Sequence, residues 1–138
     1  MLTFQKRKKR TKPEDATVKA GLRWLALQHP NLRKLIVKID NEGKRSIAGH
    51  KNAIECGLHV GASDLLLPYP TATHAGLWIE VKPDDWVKPR NTKEKERVEK
   101  QLNFGALMRL HGYEFKFARG TDELIKAFQD YIDEDKKN

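Results

Sequence analysis

Two apolar runs, each closed by a proline and joined by a turn-rich segment, limit the possible folds of this chain more than any other feature. The first run, residues 60–68, carries Asp64, and the second, residues 77–83, carries Glu80 and Lys82. Apolar and β-branched runs that end at proline are typical of strands, and the segment between them is rich in residues that favour chain reversal. We therefore expect an antiparallel hairpin.

The second strand of this hairpin places its polar side chains together. Because successive residues of a strand point to opposite faces, Trp78, Glu80 and Lys82 share one face. Hard cations such as magnesium prefer oxygen ligands, so Asp64, Glu80 and the backbone carbonyl of Val81 are predicted metal ligands. Lys82 would then help to deprotonate or to orient a water molecule. The arrangement predicts metal-dependent attack on a phosphodiester.

The Glu-x-Lys pattern alone carries little information, because it also begins at three other glutamates. Glu42 lies in a polar loop, and Glu134 lies in a charged C-terminal tail. Glu114 belongs to a predicted strand whose aromatic residues occupy the opposite face, so we expect Glu114 and Lys116 to form a solvated pair. Only Glu80 has a hairpin partner that delivers a second carboxylate.

The basic charge is concentrated at the N-terminus of the chain. The net charge is +8 over 138 residues, and the first twelve residues contain six basic residues and no acidic one. These six are Lys6, Arg7, Lys8, Lys9, Arg10 and Lys12. Clustered Lys and Arg side chains neutralise phosphates, so nucleic acid is the expected partner. The alternatives are an anionic membrane surface or a role in solubility alone. Lys44 and Arg45, in a polar turn, are either further phosphate contacts or an exposed basic turn.

The cysteine and histidine content excludes several kinds of site. Cys56 is the only cysteine, which rules out an internal disulfide and a cysteine-ligated zinc or iron-sulfur centre. The five histidines show no metal-ligand spacing, and we interpret them as surface or packing residues. No apolar run reaches the length of a membrane span, and no signal peptide is recognisable. We expect a cytoplasmic protein, from a bacterium or from a virus inside its host cell.

The remaining pattern predicts an α/β protein with a small mixed sheet and elements in the order α-β-α-β-β-α-β-α. The elements around the hairpin are a helix from Pro13 to His29, a strand over residues 35–40, a helix over residues 46–56 ended by Gly57, a helix from Asn91 to His111 ended by Gly112, a strand over residues 113–118, and a helix capped by Thr121. We expect one domain over residues 13–132, with a flexible basic arm at 1–12 and a charged tail at 133–138.

Three further residues have two interpretations each. Glu14 lies on the inward side of the first helical turn, where it either faces a site or complements the helix dipole. Gln101 occupies an apolar position of its helix, so its amide either bonds to backbone or points into a polar site. Trp86, in a proline-bracketed loop, either stacks on a base or covers the edge of the core, and the second role is favoured because aromatic base readers usually recur in groups.

In this order the residues resemble the virus-type replication-repair nuclease (VRR-NUC) family, a branch of the PD-(D/E)XK or restriction-endonuclease-like superfamily. The resemblance covers about residues 14–132. It rests on Glu14, residues 41–46, Gly57, Gly61, Asp64, residues 77–82, Gln101, Gly112 and Tyr113. Ser63 departs from the pattern, because the family usually has proline there. Serine loses backbone rigidity but no ligand.

The resemblance implies a restriction-endonuclease-like fold and a magnesium- or manganese-dependent DNA endonuclease that hydrolyses phosphodiester bonds in DNA repair. It implies that Glu14 is a further metal ligand beside Asp64 and Glu80, and that Gln101 belongs to the site with Lys82. Short stand-alone relatives resemble Holliday-junction resolvases that act as homodimers, so a dimeric resolvase of four-way junctions is the leading prediction. A flap or nicking DNA nuclease and a non-catalytic nucleic-acid-binding module are the alternatives.

Overall fold

The computed structural model describes residues 13–40 and 45–137, with side chains through residue 136. Its helices are α1 (Pro13–Gln28), α2 (Pro30–Arg33), α3 (Ile47–Glu55), α4 (Thr92–Leu110) and α5 (Gly120–Asp133), followed by a 3-10 helix (Glu134–Lys137). Its strands are β1 (Val37–Lys38), β2 (Leu65–Leu67), β3 (Leu77–Lys82) and β4 (Glu114–Arg119). The predicted order of helices and strands is confirmed, with α2 and the 3-10 helix as additions.

The four strands form one mixed sheet in the order β1-β2-β3-β4. β2 pairs antiparallel with β3, with Leu65 opposite Ile79 and Leu67 opposite Leu77, so the predicted hairpin is confirmed. β1 continues the sheet antiparallel to β2, whereas β4 lies parallel to β3. Parallel neighbours need a long crossover, which α4 provides. The beginning of β2 and the end of β3 therefore meet at one end of the sheet.

Helices cover both faces of β3. Its apolar alternate residues are buried in a core that includes Leu25 of α1 and Phe128 of α5. On the opposite face, the ring of Trp78 packs edge-on against Phe104 of α4, with the ring centroids 4.9 Å apart. The predicted alternation of β3 is thus confirmed, and it places Glu80 on the α4 side. None of the helices in the described residues has the length and apolar composition needed to cross a bilayer.

Local capping explains where the helices begin and end. Ser46 and Asn91 each accept a hydrogen bond from the backbone N–H three residues later, at 3.0 and 2.9 Å. These contacts satisfy amides that have no partner inside α3 and α4. Gly57 and Gly112 follow the two helices with φ values of +104° and +91°. The predicted limits of both helices are confirmed.

The structure differs from the sequence prediction at three places. β1 has two residues instead of the expected six at 35–40, because it lies at the sheet edge and pairs with the short β2. Pro30 begins the short α2 as well as ending α1, since proline is compatible with a first helical turn. Thr121 does not cap α5, because α5 follows β4 without a connecting residue. There the N–H of Arg119 donates to the carboxylate of Glu123 at 3.0 Å.

Candidate functional site

A cavity of about 190 Å³ lies at the end of the sheet where β2 begins and β3 ends. The residues that line it include every residue of the predicted catalytic and metal-binding set. They are Glu14, Asp64, Glu80, Val81, Lys82 and Gln101. Tertiary packing therefore brings residues from α1, the hairpin and α4 to one place.

Asp64 is held by β3 and by the residue that follows β1. Its Oδ2 atom accepts a hydrogen bond from the backbone N–H of Val81 at 2.8 Å. Its backbone carbonyl accepts a hydrogen bond from the N–H of Ile39, also at 2.8 Å. The carboxylate of Asp64 consequently has a defined position at the end of β3, next to Glu80 in the sheet.

Gly61 allows the loop that carries Asp64 to approach α4. Its φ of +89° is in the region that favours glycine. A Cβ atom at this position would lie 2.7 Å from the backbone oxygen of Lys100. Lys100 directly precedes Gln101, so this close approach sets the spacing between the two parts of the site.

Glu80, Gln101 and Lys82 form a continuous chain of hydrogen bonds. Gln101 Nε2 donates to Glu80 Oε1 at 2.9 Å, and Lys82 Nζ donates to Gln101 Oε1 at 2.9 Å. Lys82 Nζ lies 3.9 Å from Glu80 Oε1. Only 4% of Glu80 and 8% of Gln101 is exposed, and buried polar groups of this kind require partners. Of the two interpretations of Gln101, the structure supports the amide that points into a polar site.

Glu14 lines the cavity from the first turn of α1. The N-terminus of α1 lies beside the cavity. The Glu14 carboxylate therefore lines the cavity and also lies where the helix dipole favours an acid, so both interpretations of Glu14 apply.

Sequence reasoning missed four charged residues that line the same cavity. They are Asp15, Lys38, Asp40 and Arg97. Helical spacing indicates Arg97 in hindsight, because it precedes Gln101 by about one turn. Lys38 and Asp40 reach the cavity through the pairing of β1 with β2, which no local pattern specifies.

The donor atoms around the cavity suit a hard divalent cation. Glu14, Asp64 and Glu80 offer carboxylate oxygens, and Val81 offers a backbone carbonyl, which are the ligands that Mg²⁺ and Mn²⁺ prefer. None of the described cysteine or histidine residues lines the cavity. The residues therefore fit the metal that the sequence analysis predicts.

The predicted nucleic-acid contacts are described only in part. Arg45 is exposed and directly precedes Ser46, the cap of α3. The others, Lys6, Arg7, Lys8, Lys9, Arg10 and Lys44, lie outside the described residues.

A second group of ionisable residues, which we call the His74 cluster, comprises His74, Glu114 and Glu134. It lies near the beginning of β3, at the end remote from the cavity. His74 Nδ1 is 2.9 Å from Glu134 Oε2, and His74 Nε2 is 3.8 Å from Glu114 Oε2. One ligand atom from each residue lies within 4.8 Å of the others, a spacing compatible with a bound metal ion. Sequence spacing gave no signal for this cluster, because its members are 20 to 60 residues apart.

The His74 cluster changes the interpretation of two glutamates. Glu114 is not a solvated partner of Lys116, because its carboxylate is largely buried and accepts a hydrogen bond from Arg109 Nε at 3.2 Å. Glu134 does not extend into solvent, as expected of a residue in the predicted charged tail, but packs against the loop between β2 and β3. Its Oε2 atom accepts hydrogen bonds from the hydroxyls of Thr71 and Thr73 at 3.1 and 2.8 Å.

These contacts keep Glu134 ionised. Burial raises the pKa of Glu134, but hydrogen bonds from His74, Thr73 and Thr71 together lower it by more, so this pKa lies below its usual value. The resulting anion ties the loop between β2 and β3 to the end of α5.

The fold is similar to that of a solved structure described as a VRR_NUC domain protein. The two share 23% sequence identity and superpose with a TM-score of 0.64, over 89% of this chain and 90% of the other. The mixed four-stranded sheet with flanking helices is a restriction-endonuclease-like α/β fold. Within that class, the chain has the VRR-NUC fold, as the sequence resemblance predicts. No protein-family model and no curated protein matches the sequence.

Proposed function

We propose that the protein is a metal-dependent, structure-selective DNA endonuclease of the Holliday-junction resolvase type. The observation that carries the proposal is the convergence of Glu14, Asp64 and Glu80 with Lys82 and Gln101 in one cavity. The description of the solved neighbour as a VRR_NUC domain protein supports the nuclease class.

The acidic residues would hold the metal. Glu14, Asp64 and Glu80, with the carbonyl of Val81, supply the oxygen ligands for Mg²⁺ or Mn²⁺. When bound, the ion offsets the negative charge that develops on the phosphoryl oxygens during hydrolysis.

Lys82 is proposed to act on the attacking water. In the hydrolysis, the water oxygen bonds to phosphorus while one P–O ester bond breaks, and the water proton passes to the departing oxygen or to solvent. Lys82 Nζ donates to Gln101 Oε1, which holds the ammonium beside Glu80 before substrate binds. Preorganised charge of this kind lowers a barrier because it requires no rearrangement during the reaction.

Positive charge near the cavity supports DNA as the substrate. Lys38 and Arg97 line the cavity. The first twelve residues, which lie outside the described part of the chain, include six further basic residues in sequence. Phosphate contacts position DNA without reading bases. Selectivity for a branched structure would therefore come from backbone geometry, and the chain has no recognisable groove-reading motif.

Cleavage assays on a panel of DNA structures test the proposal. We expect the protein to cut four-way junctions in preference to flap, nicked and linear DNA with Mg²⁺ or Mn²⁺, and to cut nothing with a chelator. Asp64→Ala and Glu80→Ala should each lower kcat at least about 100-fold. Loss of a residue that only hydrogen-bonds to a metal ligand already lowers activity by about 10- to 100-fold, and these two residues are proposed to bind the metal directly. DNA binding should persist, because neither change removes a positive charge. Asp130→Ala, which removes an exposed carboxylate of α5, is the matched control and should cut normally.

Each contrary result has a distinct meaning. Undiminished cleavage by Glu80→Ala would contradict the site. Preference for flap or nicked DNA would favour the second nuclease class, and binding without cleavage under any metal would favour a non-catalytic module.

A further inference from the structure

The ammonium of Lys82 lies close to two aromatic rings. Lys82 Nζ is 5.5 Å from the ring centroid of Trp86 and 5.9 Å from that of Phe117. Both distances fall within the range of cation–π attraction, and tryptophan has the stronger ring. The Lys82 side chain is only 12% exposed, so solvent screens this attraction less than it would at the surface.

Trp86 is fixed in position although it lies in a loop. Its indole Nε1 donates to Glu94 Oε1 at 3.2 Å. Its backbone N–H donates to the carbonyl of Pro83 at 3.1 Å, and its own carbonyl accepts from Arg119 Nη1 at 3.2 Å. The two backbone contacts therefore hold the loop at Trp86, and the contact with Glu94 orients the indole ring.

Glu94 is a suitable anchor for the indole. The backbone N–H of Arg90 and the indole N–H of Trp86 lower the pKa of Glu94, so it is a carboxylate at neutral pH. Hydrogen bonds to an ionised acceptor are stronger than those to a neutral one. Glu94 also lies in the first turn of α4, the helix that carries Gln101, so one helix holds both groups that contact Lys82.

We propose that Trp86 is a positioning residue for Lys82 in the cleavage reaction. The proposal rests on the proposed function, because it gives Trp86 a role only through Lys82. The indole ring attracts the Lys82 ammonium, and Gln101 Oε1 accepts a hydrogen bond from it. Contacts on two sides therefore fix the position of this ammonium. This is a third role for Trp86, beside the two considered from sequence, which are base stacking and cover of the core edge.

Two substitutions of Trp86 separate the aromatic face from simple bulk. Trp86→Leu keeps apolar volume but removes the ring, and Trp86→Phe keeps a ring; both lose the indole N–H. We expect Trp86→Leu to lower kcat roughly 3- to 30-fold, the value of one partly desolvated cation–π contact, with KM unchanged within about twofold. Trp86→Phe should recover most of this loss. Trp24→Phe, on α1 and nearly three turns from Glu14, is the matched control and should leave both constants unchanged.

An NMR measurement tests the contact without any cleavage. Protons above the face of an aromatic ring resonate upfield. In protein labelled with ¹³C-lysine, the ε-methylene protons of Lys82, assigned with Lys82→Arg, should lie upfield of those of other lysines. They should move back in Trp86→Leu, move less in Trp86→Phe, and stay in place in Trp24→Phe.

The two measurements distinguish the possible failures. A Lys82 resonance that does not respond to Trp86→Leu overturns the contact. A higher KM with unchanged kcat also overturns the proposal, and indicates that Trp86 stacks on DNA. A responsive resonance in a wild-type protein that cuts no DNA supports the contact and contradicts the proposed function alone.

Discussion

Gln101 shows how one neutral side chain serves two opposite charges. Its amide nitrogen donates to Glu80, and its amide oxygen accepts from Lys82. A carboxylate at this position would have no donor for Glu80, and an ammonium would have no acceptor for Lys82. The amide is therefore the group that lets an acid and a lysine lie side by side in a nearly buried place.

At the same scale, Gly61 determines how closely the Asp64 loop approaches α4. We expect Gly61→Ala to lower the free energy of unfolding by about 2 to 4 kcal/mol, because a positive φ and a backbone clash add together. Cleavage should fall as well, since the clash displaces the loop that carries Asp64. Urea denaturation and the junction-cleavage assay provide the measurements.

Gly112→Ala is the control for this prediction. Gly112 has a φ of +91°, close to the +89° of Gly61, but a Cβ there would meet no atom within 4 Å. Its substitution should therefore show the conformational cost alone, about 1 kcal/mol, with normal cleavage. Equal effects of the two substitutions would show that the approach to α4 is unimportant.

At the scale of elements, the β2–β3 hairpin has a different chemistry at each end. The end with Asp64 and Glu80 opens into the cavity. The loop end is joined to α5 through Glu134, which accepts hydrogen bonds from Thr71 and Thr73. The C-terminal residues thus support the hairpin that carries the proposed site.

This connection predicts an acid-sensitive contribution to stability. Glu134→Gln should lower the free energy of unfolding by about 1 kcal/mol at pH 7, because an amide accepts weaker hydrogen bonds than a carboxylate. Because the pKa of Glu134 is lower in the folded state than in the unfolded state, its ionisation stabilises the protein at pH values above the unfolded-state pKa of about 4.3. That contribution is lost as the pH falls through the lowered pKa. The difference between wild type and variant should therefore shrink toward pH 3.

Urea denaturation with a chelator, repeated from pH 7 to pH 3, measures this difference without any bound ion. Asp130→Asn breaks an exposed pair with Lys126 on the same helix and should change stability by less than about 0.5 kcal/mol. A difference that stays constant to pH 3 would contradict the prediction. Stabilisation of wild type but not Glu134→Gln by a divalent ion would instead identify the His74 cluster as a metal site.

At the scale of the whole molecule, the proposed activity requires two sites. A resolvase cuts two strands related by approximate two-fold symmetry, and a C2 homodimer supplies two sites through one self-complementary interface. We predict a dimer in sedimentation experiments and paired, symmetric cuts on a four-way junction. Mixing wild-type and Asp64→Ala subunits should produce heterodimers that nick one strand and stop. A protein that remains monomeric on DNA would favour the flap or nicking class.

Features that depend on near neighbours in the chain could be predicted from the sequence. Strand alternation put Glu80 and Lys82 on one face of β3, and the flanking prolines and turn residues indicated the hairpin that aligns Asp64 with them. The sequence pattern also placed the beginnings of α3 and α4 near Ser46 and Asn91, which the structure shows as the caps of these helices. Each of these signals lies within a few residues of the structure that it specifies, so a single sequence displays it.

Contacts between distant segments became visible only in the folded protein. The pairing of β1 with β2 brings Lys38 to the cavity, the end of α5 brings Glu134 to His74, and the loop after β3 brings Trp86 to Lys82. Lys82 and Trp86 are near in sequence, but their contact depends on Glu94 of α4, which accepts a hydrogen bond from the indole of Trp86. Such contacts follow from how buried surfaces fit together across the fold, and no local period or capping rule specifies that fit.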